Sequence, residues 1–344
     1  MQVPAHILVI RFSSMGDVAM TVPVLRNLLQ QHPQLQITVV SQSYLQPLFE
    51  GLERCHFYPA FLKDQHKGIT GMYRLFKELK SLVAFDAVAD LHHVLRSQIV
   101  SALFRVAGYK VARVDKGRKE KKQLTRKENK ICRQLTPMPE RYADVFRKLG
   151  MPVNLTNDEP SLQRKPLPGA VASMLTAGKK LIGIAPFAQY KEKMYPLEKM
   201  KVVVGSLAQE NYTILLFGAK GKEADVLKNW ESEFPSIISI AGNYSLKEEL
   251  AIISNLQLMV SMDSANMHLA SLFNVPVVSI WGATHHYAGF NGWGQDVRNM
   301  VETNLYCRPC SVFGNKTCYR GDHACMQRIE ATMVVQKIAT TLPG

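Results

Sequence analysis

Apolar runs of strand length alternate with helical patterns along most of the chain. The clearest case is residues 256–284, where the apolar run Leu256–Met262 leads through a polar loop to a helical pattern over Met267–Phe273 and a second apolar run ending at Trp281. Strand–loop–helix–strand units of this kind are typical of parallel sheets. The pattern therefore predicts an α/β fold built from doubly wound parallel sheets.

The alternation occurs twice, with a linker between the two arrays. The first array opens at the predicted strand His6–Arg11 and closes with the helix Glu140–Leu149, and the second begins at the strand Leu181–Ala185. Residues 154–169 between them are rich in Pro and Asn and carry no periodic pattern. We expect one domain over residues 1–160, a second over 169–325, and a C-terminal helix over 326–344 that packs back across both.

Polar loops with chemically useful side chains follow several predicted strands. After the first strand come Ser13, Ser14, Gly16 and Asp17, and after the strand Ala87–Leu91 come His93 and Arg96. Ligands in open α/β sheets bind beyond the carboxyl ends of the strands, so both loops are candidates for a binding site. For Asp17 the alternative is a carboxylate that only stabilises the first turn of a helix.

The loop after Met262 carries a third set. Asp263 would accept hydrogen bonds from ligand hydroxyls or loop amides, while Ser264 and the amides after it would face a phosphate at a helix start. His268, one turn later, could donate to the same phosphate. The alternative is that Asp263 caps a helix and His268 packs in the core.

The formal charge of +14 is concentrated in one segment. Lys110–Arg133 carries eleven Lys and Arg side chains against three carboxylates and shows no clear apolar period, which predicts an extended loop. Such a loop suits an acidic glycan, a membrane surface or nucleic acid, and the alternative is a solvated mobile loop. We expect no nucleic acid, because no aromatic residue that could stack on a base falls inside the segment.

Four of the six cysteines form a cluster, namely Cys307, Cys310, Cys318 and Cys325. The spacing contains a single C-x-x-C pair, whereas paired C-x-x-C motifs are the strong signal for zinc. It allows a structural zinc site without favouring it over free thiols or disulfides formed on isolation.

The apolar content also bears on location. The run His6–Ile10 is too short for a signal peptide, and no run approaches the roughly 18 apolar residues that span a bilayer. We therefore expect a cytoplasmic protein, peripherally associated with the inner face of the cytoplasmic membrane through its basic segment.

Four stretches together resemble a known family. They read HILVIRFSSMGDVAMTVPVLRNL, LIGIAPFAQYKEKMYPLEKM, LLFGAKGKEADV and AGNYSLKEELAIISNLQLMVSMDSANMHLASLFNVPVVSIWGAT. In order and spacing they resemble glycosyltransferase family 9, the heptosyltransferases of lipopolysaccharide core assembly, over nearly the whole chain. The resemblance implies a GT-B fold with two Rossmann-like domains facing a central cleft, an ADP-heptose donor, inversion at the anomeric carbon and no catalytic metal.

The resemblance also implies roles for individual residues. Asp17 would be the catalytic base toward the acceptor hydroxyl, and Lys193 would neutralise the diphosphate as the sugar leaves, with assistance from Lys191. The donor site would comprise Lys191, Glu223, Tyr244, Asp263, Ser264, Ala265 and His268. The acceptor site would comprise Ser13, Ser14, Gly16, His93 and Arg96.

The chain departs from the family pattern at several positions. It has Asp263-Ser264-Ala265-Asn266 where Asp-Ser/Thr-Gly-Pro is usual, and Tyr195 where Trp is common. A methyl group at Ala265 narrows the approach of a ligand to the backbone, so we expect substrate specificity to differ there.

We therefore expect an inverting, metal-independent glycosyltransferase that moves heptose from ADP-heptose to an acidic lipid-linked glycan. One alternative is a GT-B enzyme that epimerises or hydrolyses a nucleotide sugar without an acceptor. A second is a basic nucleic-acid-binding protein on a Rossmann-like scaffold.

Overall fold

The computed structural model describes residues 4–342. The chain divides into two compact units, Met1–Lys116 with Pro137–Leu162, and Gly117–Thr136 with Gln163–Gly344. Each unit contains its own parallel β-sheet, which confirms the predicted α/β class. Residues 117–136 belong to the second unit, whereas the sequence led us to expect an uninterrupted first domain over residues 1–160.

The strands are short, as expected for parallel sheets. They are β1 His6–Ile10, β2 Gln36–Ser41, β3 Cys55–Pro59, β4 Ala87–Asp90, β5 Lys110–Arg113, β6 Lys180–Ala185, β7 Tyr212–Leu216, β8 Ile237–Ser239, β9 Leu258–Met262, β10 Val277–Trp281 and β11 Met300–Glu302.

The α-helices follow most of the strands. They are α1 Met15–Ala19, α2 Thr21–Gln31, α3 Gly68–Leu82, α4 Leu95–Val106, α5 Arg118–Leu124, α6 Met138–Lys148, α7 Gly169–Ala172, α8 Leu197–Ala208, α9 Lys222–Glu233, α10 Leu246–Ile253, α11 Ala265–Ser271, α12 Ala324–Gln327 and α13 Ala331–Thr341. Within residues 4–342, none of the helices combines the length and apolar character needed to cross a bilayer.

The first sheet has the strand order β3-β2-β1-β4-β5. Successive strands are added on one side of β1 up to β3, and the chain then returns to place β4 on its other side. The strand order therefore reverses between β1 and β4, where Ile10 lies opposite Asp90. In sheets of this kind, the crevice at the reversal point is where ligands bind.

The second sheet repeats this design with the order β11-β10-β9-β6-β7-β8. Its strand order reverses between β6 and β9, where Ala185 lies opposite Ser261. Both central strands are almost entirely buried, which explains their continuous apolar sequences. Close packing requires a glycine at position 183 in β6, because a Cβ atom there would lie 2.5 Å from Leu256 Cδ1.

The structure corrects several predicted elements. Two successive helices, α1 and α2, follow the first strand, and residues 43–48 form a 3₁₀ helix. The sequence also missed β3, whose side chains alternate poorly and are mostly half-buried. The C-terminal helix predicted from Met326 is interrupted and forms α12 and α13.

The basic segment Lys110–Arg133 is the largest correction, because it is not an extended loop. It contains β5, the edge strand of the first sheet, and α5, which lies in the second unit. Leu124 at the end of α5 is completely buried and packs in a cluster with Leu135 and Ala288. The Leu135 amide donates a hydrogen bond to the Tyr287 carbonyl. A small apolar cluster therefore attaches the middle of the segment to the second unit.

Helix α13 lies against α8, β9, β10 and β11 of its own unit. Val334 and Ile338 are buried in the core there. Packing of this helix on the first domain stays a prediction, and residues 343–344 of the predicted element lie outside the described residues.

Candidate active site

The loops after β1 and β4 meet at the reversal point of the first sheet. The side chain of Arg11, directly after β1, reaches across and donates from Nη1 to the Leu91 carbonyl at 2.7 Å. Asp90, which ends β4, is fully buried and accepts hydrogen bonds from the amides of His92 and His93. The two loops are thereby tied together beyond the carboxyl ends of the central strands.

Asp17 lies at this junction, in the first turn of α1. Its Oδ2 atom is 2.8 Å from Nη2 of Arg11 and accepts a second hydrogen bond of 2.8 Å from Ser14 Oγ. The Arg11 side chain is 5% exposed and that of Asp17 is 27% exposed, so the carboxylate remains partly accessible. Because charge-assisted contacts to a buried guanidinium are strong, they hold the carboxylate in one orientation.

Two buried rings, those of Tyr142 and His92, lie near Arg11. The guanidinium of Arg11 lies 5.7 Å from the centre of the Tyr142 ring, and burial raises the pKa of the Tyr142 hydroxyl. His92 packs edge-on against Phe12, and burial, reinforced by the nearby Arg11, lowers the pKa of His92 to about 3. His92 is therefore neutral near pH 7, and the carboxylates that act on Arg11 are those of Asp17 and Asp90.

The predicted acceptor residues fall into two groups. Ser14 contacts Asp17 directly, and Ser13 in the loop and Gly16 in α1 are half-buried. His93 adopts a left-handed backbone conformation, and its Nδ1 atom lies 3.1 Å from the Val114 carbonyl. Arg96 is exposed near the start of α4. The structure thus unites the first loop around Asp17 and leaves Arg96 accessible to solvent.

The second unit contains an equivalent junction between the loops after β6 and β9. Nζ of Lys193, in a 3₁₀ helix at residues 191–193, is 2.8 Å from Oδ2 of Asp263, which directly follows β9. The side chains are 15% and 8% exposed, so both charges are largely removed from water. A buried charge is costly unless it is paired, which makes each group dependent on the other.

The cysteine-containing loop, residues 307–325, packs against the side chain of Lys193. Gly314 in that loop has φ +77°, and a Cβ atom there would lie 2.4 Å from Cγ of Lys193. Only glycine allows the backbone so close to the lysine stem. Lys191, two residues earlier, is exposed, and Tyr195 is buried with its hydroxyl donating to the Ile329 carbonyl.

Helix α11 starts earlier than predicted, at Ala265, and has Ser264 as its N-cap residue. The Ser264 hydroxyl lies 3.0 Å from that of Ser261 and makes no cap hydrogen bond with the helix. His268 is 7% exposed and lies on the same short helix. The structure therefore keeps Asp263, Ser264, Ala265 and His268 together at the end of β9.

The two remaining predicted donor-site residues, Glu223 and Tyr244, have different surroundings. Glu223, in the first turn of α9, accepts a hydrogen bond from the Ala219 amide at 2.8 Å and so stabilises the loop after β7. Tyr244 is half-buried in the loop between β8 and α10. In this loop Gly242 has φ +68° and approaches Lys220, where a Cβ atom would lie 2.6 Å from the Lys220 Cα.

One group of side chains among the described residues could hold a metal ion, and it was not predicted. His285, His286 and Glu302 each offer an atom within 4.8 Å of the others. Arg308 donates to Glu302 at 2.9 Å and so already neutralises the carboxylate. The four clustered cysteines line one small cavity, but within residues 4–342 no three of their sulfur atoms come together this closely.

Sequence reasoning missed the residues that hold the catalytic candidates in place. Arg11 was assigned only to the end of a strand, and Asp90 and Gly314 were not singled out. A charged residue directly after a buried strand was the available signal for Arg11 and Asp90. No local signal marks Gly314, because its partner is Lys193.

Comparison with known proteins shows which family the chain belongs to. The profile of glycosyltransferase family 9 (heptosyltransferase) matches residues 72–319. The chain is 26% identical to lipopolysaccharide heptosyltransferase 1 of Campylobacter coli, over 86% of this chain and 89% of that protein. It is 24% identical to lipooligosaccharide heptosyltransferase 2 of Campylobacter jejuni, where the match spans 57% of this chain and 58% of the relative.

The fold of the chain is also similar to that of a solved heptosyltransferase. The solved structure of the ADP-heptose lipopolysaccharide heptosyltransferase II of E. coli superposes with a TM-score of 0.69 at 20% identity, covering 98% of each chain. This likeness confirms the GT-B fold predicted from the sequence. Because the family profile covers well over half of the chain, the protein belongs to glycosyltransferase family 9 and is a glycosyltransferase.

Proposed function

We propose that the protein transfers heptose from ADP-heptose to a lipid-linked lipopolysaccharide core acceptor, with inversion and without a catalytic metal. The observation that carries this proposal is the ion pair of Lys193 and Asp263 at the reversal point of the second sheet. It supplies a fixed positive group and a fixed hydrogen-bond acceptor where a nucleotide sugar would lie in such a sheet. The family relationship supports heptose as the sugar.

In this proposal, Lys193 stabilises the departing diphosphate. An ammonium group has three N–H donors, and Asp263 accepts one of them at 2.8 Å, so others can bind phosphate oxygens. Fixed positive charge at a developing anion is often the largest contribution to catalysis, and a lysine can provide it where no metal ion does. Lys191, Ser264, Ala265 and His268 complete the donor site, with Glu223 and Tyr244 near the nucleoside.

Asp17 is the proposed general base. Inversion by a single displacement needs a carboxylate beside the attacking hydroxyl, and Arg11 and Ser14 hold the Asp17 carboxylate in one orientation. A positioned base contributes a factor of roughly 10²–10⁴ to the rate. Ser13, Gly16, His93 and Arg96 would bind the acceptor on the same unit, while the donor binds the second unit.

The basic segment gives this proposal a location in the cell. The net positive charge of Lys110–Arg133 would favour transient contact with the anionic inner face of the cytoplasmic membrane, where a lipid-linked acceptor is available. The methyl group of Ala265 and the polar side chain of Asn266 are the proposed points at which donor specificity differs from that of relatives.

The test is product analysis with purified protein. ADP-heptose is supplied with and without a lipid-linked core acceptor, and products are identified by mass spectrometry, with the anomeric configuration read by NMR. We expect a β-to-α or α-to-β change at the anomeric carbon of the transferred heptose and little turnover without acceptor. Conversion of ADP-heptose in the absence of acceptor at the same rate would instead support an epimerase or hydrolase.

A further inference from the structure

A basic pocket lies in the second unit, outside the donor site described above. It has a volume of about 260 Å³ and is bordered by the end of the α5 region and by the cysteine-containing loop. Its lining consists of Thr125, Arg126, Lys127, Cys307, Cys310, Lys316, Thr317 and Tyr319. The two sides are far apart in sequence, and both belong to the same compact unit.

The walls of the pocket are held in position by buried contacts. On one side Leu124 anchors α5 in its apolar cluster. On the other, Nζ of Lys130 donates to the carbonyls of Cys307 and Pro309 at 2.7 and 2.9 Å and so fastens the basic segment to the cysteine-containing loop. The pocket is therefore a built feature rather than a gap between two mobile loops.

The lining is positively charged and contains no carboxylate. Arg126, Lys127 and Lys316 contribute three cations, and none of them forms an ion pair within residues 4–342. Elsewhere in this unit, Lys199 is paired with Glu330 and Lys201 with Glu233. An uncompensated group of cations around a concave surface attracts anions.

Other lining groups suit a sugar next to the anion. Nζ of Lys127 lies 4.8 Å from the centre of the Tyr319 ring, so an aromatic side chain lines the pocket beside one of its cations. Thr317 adds an exposed hydroxyl. The volume of about 260 Å³ is just below the range of roughly 300–1,000 Å³ for drug-sized ligand sites, and it suits a ligand the size of one monosaccharide with its charged group.

We propose that this pocket binds a phosphorylated sugar of the acceptor glycan and so selects acceptors by their phosphate groups. The proposal rests on the function proposed above, and it moves part of acceptor recognition to the unit that holds Lys193. The cysteine-containing loop links the two places, because Gly314 packs on the stem of Lys193 and Lys316 lines the pocket.

The first experiment measures binding directly, with glucose 6-phosphate, glucose and inorganic phosphate as probes and the full chain as the protein. Lys316→Gln and Arg126→Gln each remove one positive charge from the lining. Lys228→Gln makes the same change at an exposed position of α9 that does not line the pocket. We expect glucose 6-phosphate to bind best to the wild type and to Lys228→Gln, with affinity about tenfold lower in the two pocket variants.

Three results of this experiment would overturn the proposal. They are equal binding of glucose and glucose 6-phosphate, equal binding of inorganic phosphate and glucose 6-phosphate, and equal affinities of Lys316→Gln and Lys228→Gln. The proposal would also be overturned if a short single-stranded RNA bound more tightly than glucose 6-phosphate and lost affinity in the same variants. That result would favour nucleic acid as the ligand.

The second experiment separates failure of the pocket from failure of the proposed function. Transfer from ADP-heptose is measured with a phosphorylated core acceptor and with the same acceptor after phosphatase treatment. We expect dephosphorylation to raise KM about tenfold for the wild type and to leave KM of Lys316→Gln nearly unchanged, with similar kcat. Equal KM values of the wild type for the two acceptors would contradict the proposed pocket. Absence of transfer with both acceptors would instead contradict the proposed function.

Discussion

Nζ of Lys193 lies 2.8 Å from Oδ2 of Asp263, and the two residues come from loops that follow adjacent central strands, β6 and β9. The pair stands at the point where the strand order of the second sheet reverses. Asp17 and Arg11 occupy the corresponding point of the first sheet, where β1 and β4 are adjacent. Each unit thus has an ion pair at the point where the strand order of its sheet reverses, which is where ligands bind in such sheets.

Replacement of the proposed base should remove transfer without removing the donor site. We expect Asp17→Asn to lower kcat by about 10²–10⁴-fold, because the amide cannot accept the proton of the acceptor hydroxyl. ADP binding, measured by calorimetry, should stay within about twofold of the wild type, since Asp17 belongs to the first unit. Ser14→Ala is the matched control and should lose far less activity, because it removes only one hydrogen bond to Asp17. Near-normal turnover by Asp17→Asn would exclude this residue as the base.

Lys193 should matter to catalysis far more than its neighbour Lys191. We expect Lys193→Met to reduce kcat by about 10²–10³-fold through loss of charge at the departing diphosphate, whereas Lys191→Met, at an exposed position, should have a small effect.

The Lys193→Met variant also leaves the buried Asp263 carboxylate unpaired, which by itself could disturb the fold. The double variant Lys193→Met/Asp263→Asn removes both charges and should recover thermal stability while staying inactive. Recovery of activity in the double variant would mean that Lys193 serves only to neutralise Asp263.

The attachment of the basic segment to the second unit can be tested through Leu124. This side chain is completely buried, and we expect Leu124→Ala to weaken its local packing by about 2–5 kcal/mol. Limited trypsin digestion should then cleave faster within residues 117–136, as read by mass spectrometry. Leu95→Ala, at a position that is 74% exposed, should digest like the wild type. Unchanged cleavage in Leu124→Ala would indicate that the apolar cluster does not hold the segment.

Burial raises the pKa of Glu249 to about 7 from the value of 4.5 expected in an unfolded chain. Between these pKa values the folded state binds more protons than the unfolded state, so the free energy of unfolding falls as pH rises from about 4.5 to about 7 and then levels off. Relative to Glu249→Gln, the wild type should lose up to about 3 kcal/mol of unfolding free energy between pH 4.5 and pH 8. Urea titrations of both proteins at several pH values measure the difference. Parallel pH profiles for the two proteins would contradict the assignment.

The sequence was sufficient for the class of fold because its information is local and repeated. Continuous apolar strands such as β9, followed by polar loops and amphipathic helices, predict parallel sheets in each half. The same pattern placed Asp17 and Asp263 at carboxyl ends of strands, and the family resemblance added Lys193. Element ends were less well predicted, because caps and 3₁₀ turns depend on contacts outside the element.

Only the tertiary structure decided which of these residues meet. Apolar periodicity does not encode that β4 pairs with β1, or that β9 pairs with β6, and these pairings bring Arg11 to Leu91 and Lys193 to Asp263. The basic segment is the strongest example, because its lack of an apolar period predicted an extended loop, whereas three apolar residues, Leu124, Leu135 and Ala288, fix it to the second unit. Burial of a few side chains distant in sequence outweighed the composition of the segment, since apolar packing acts through space and not along the chain.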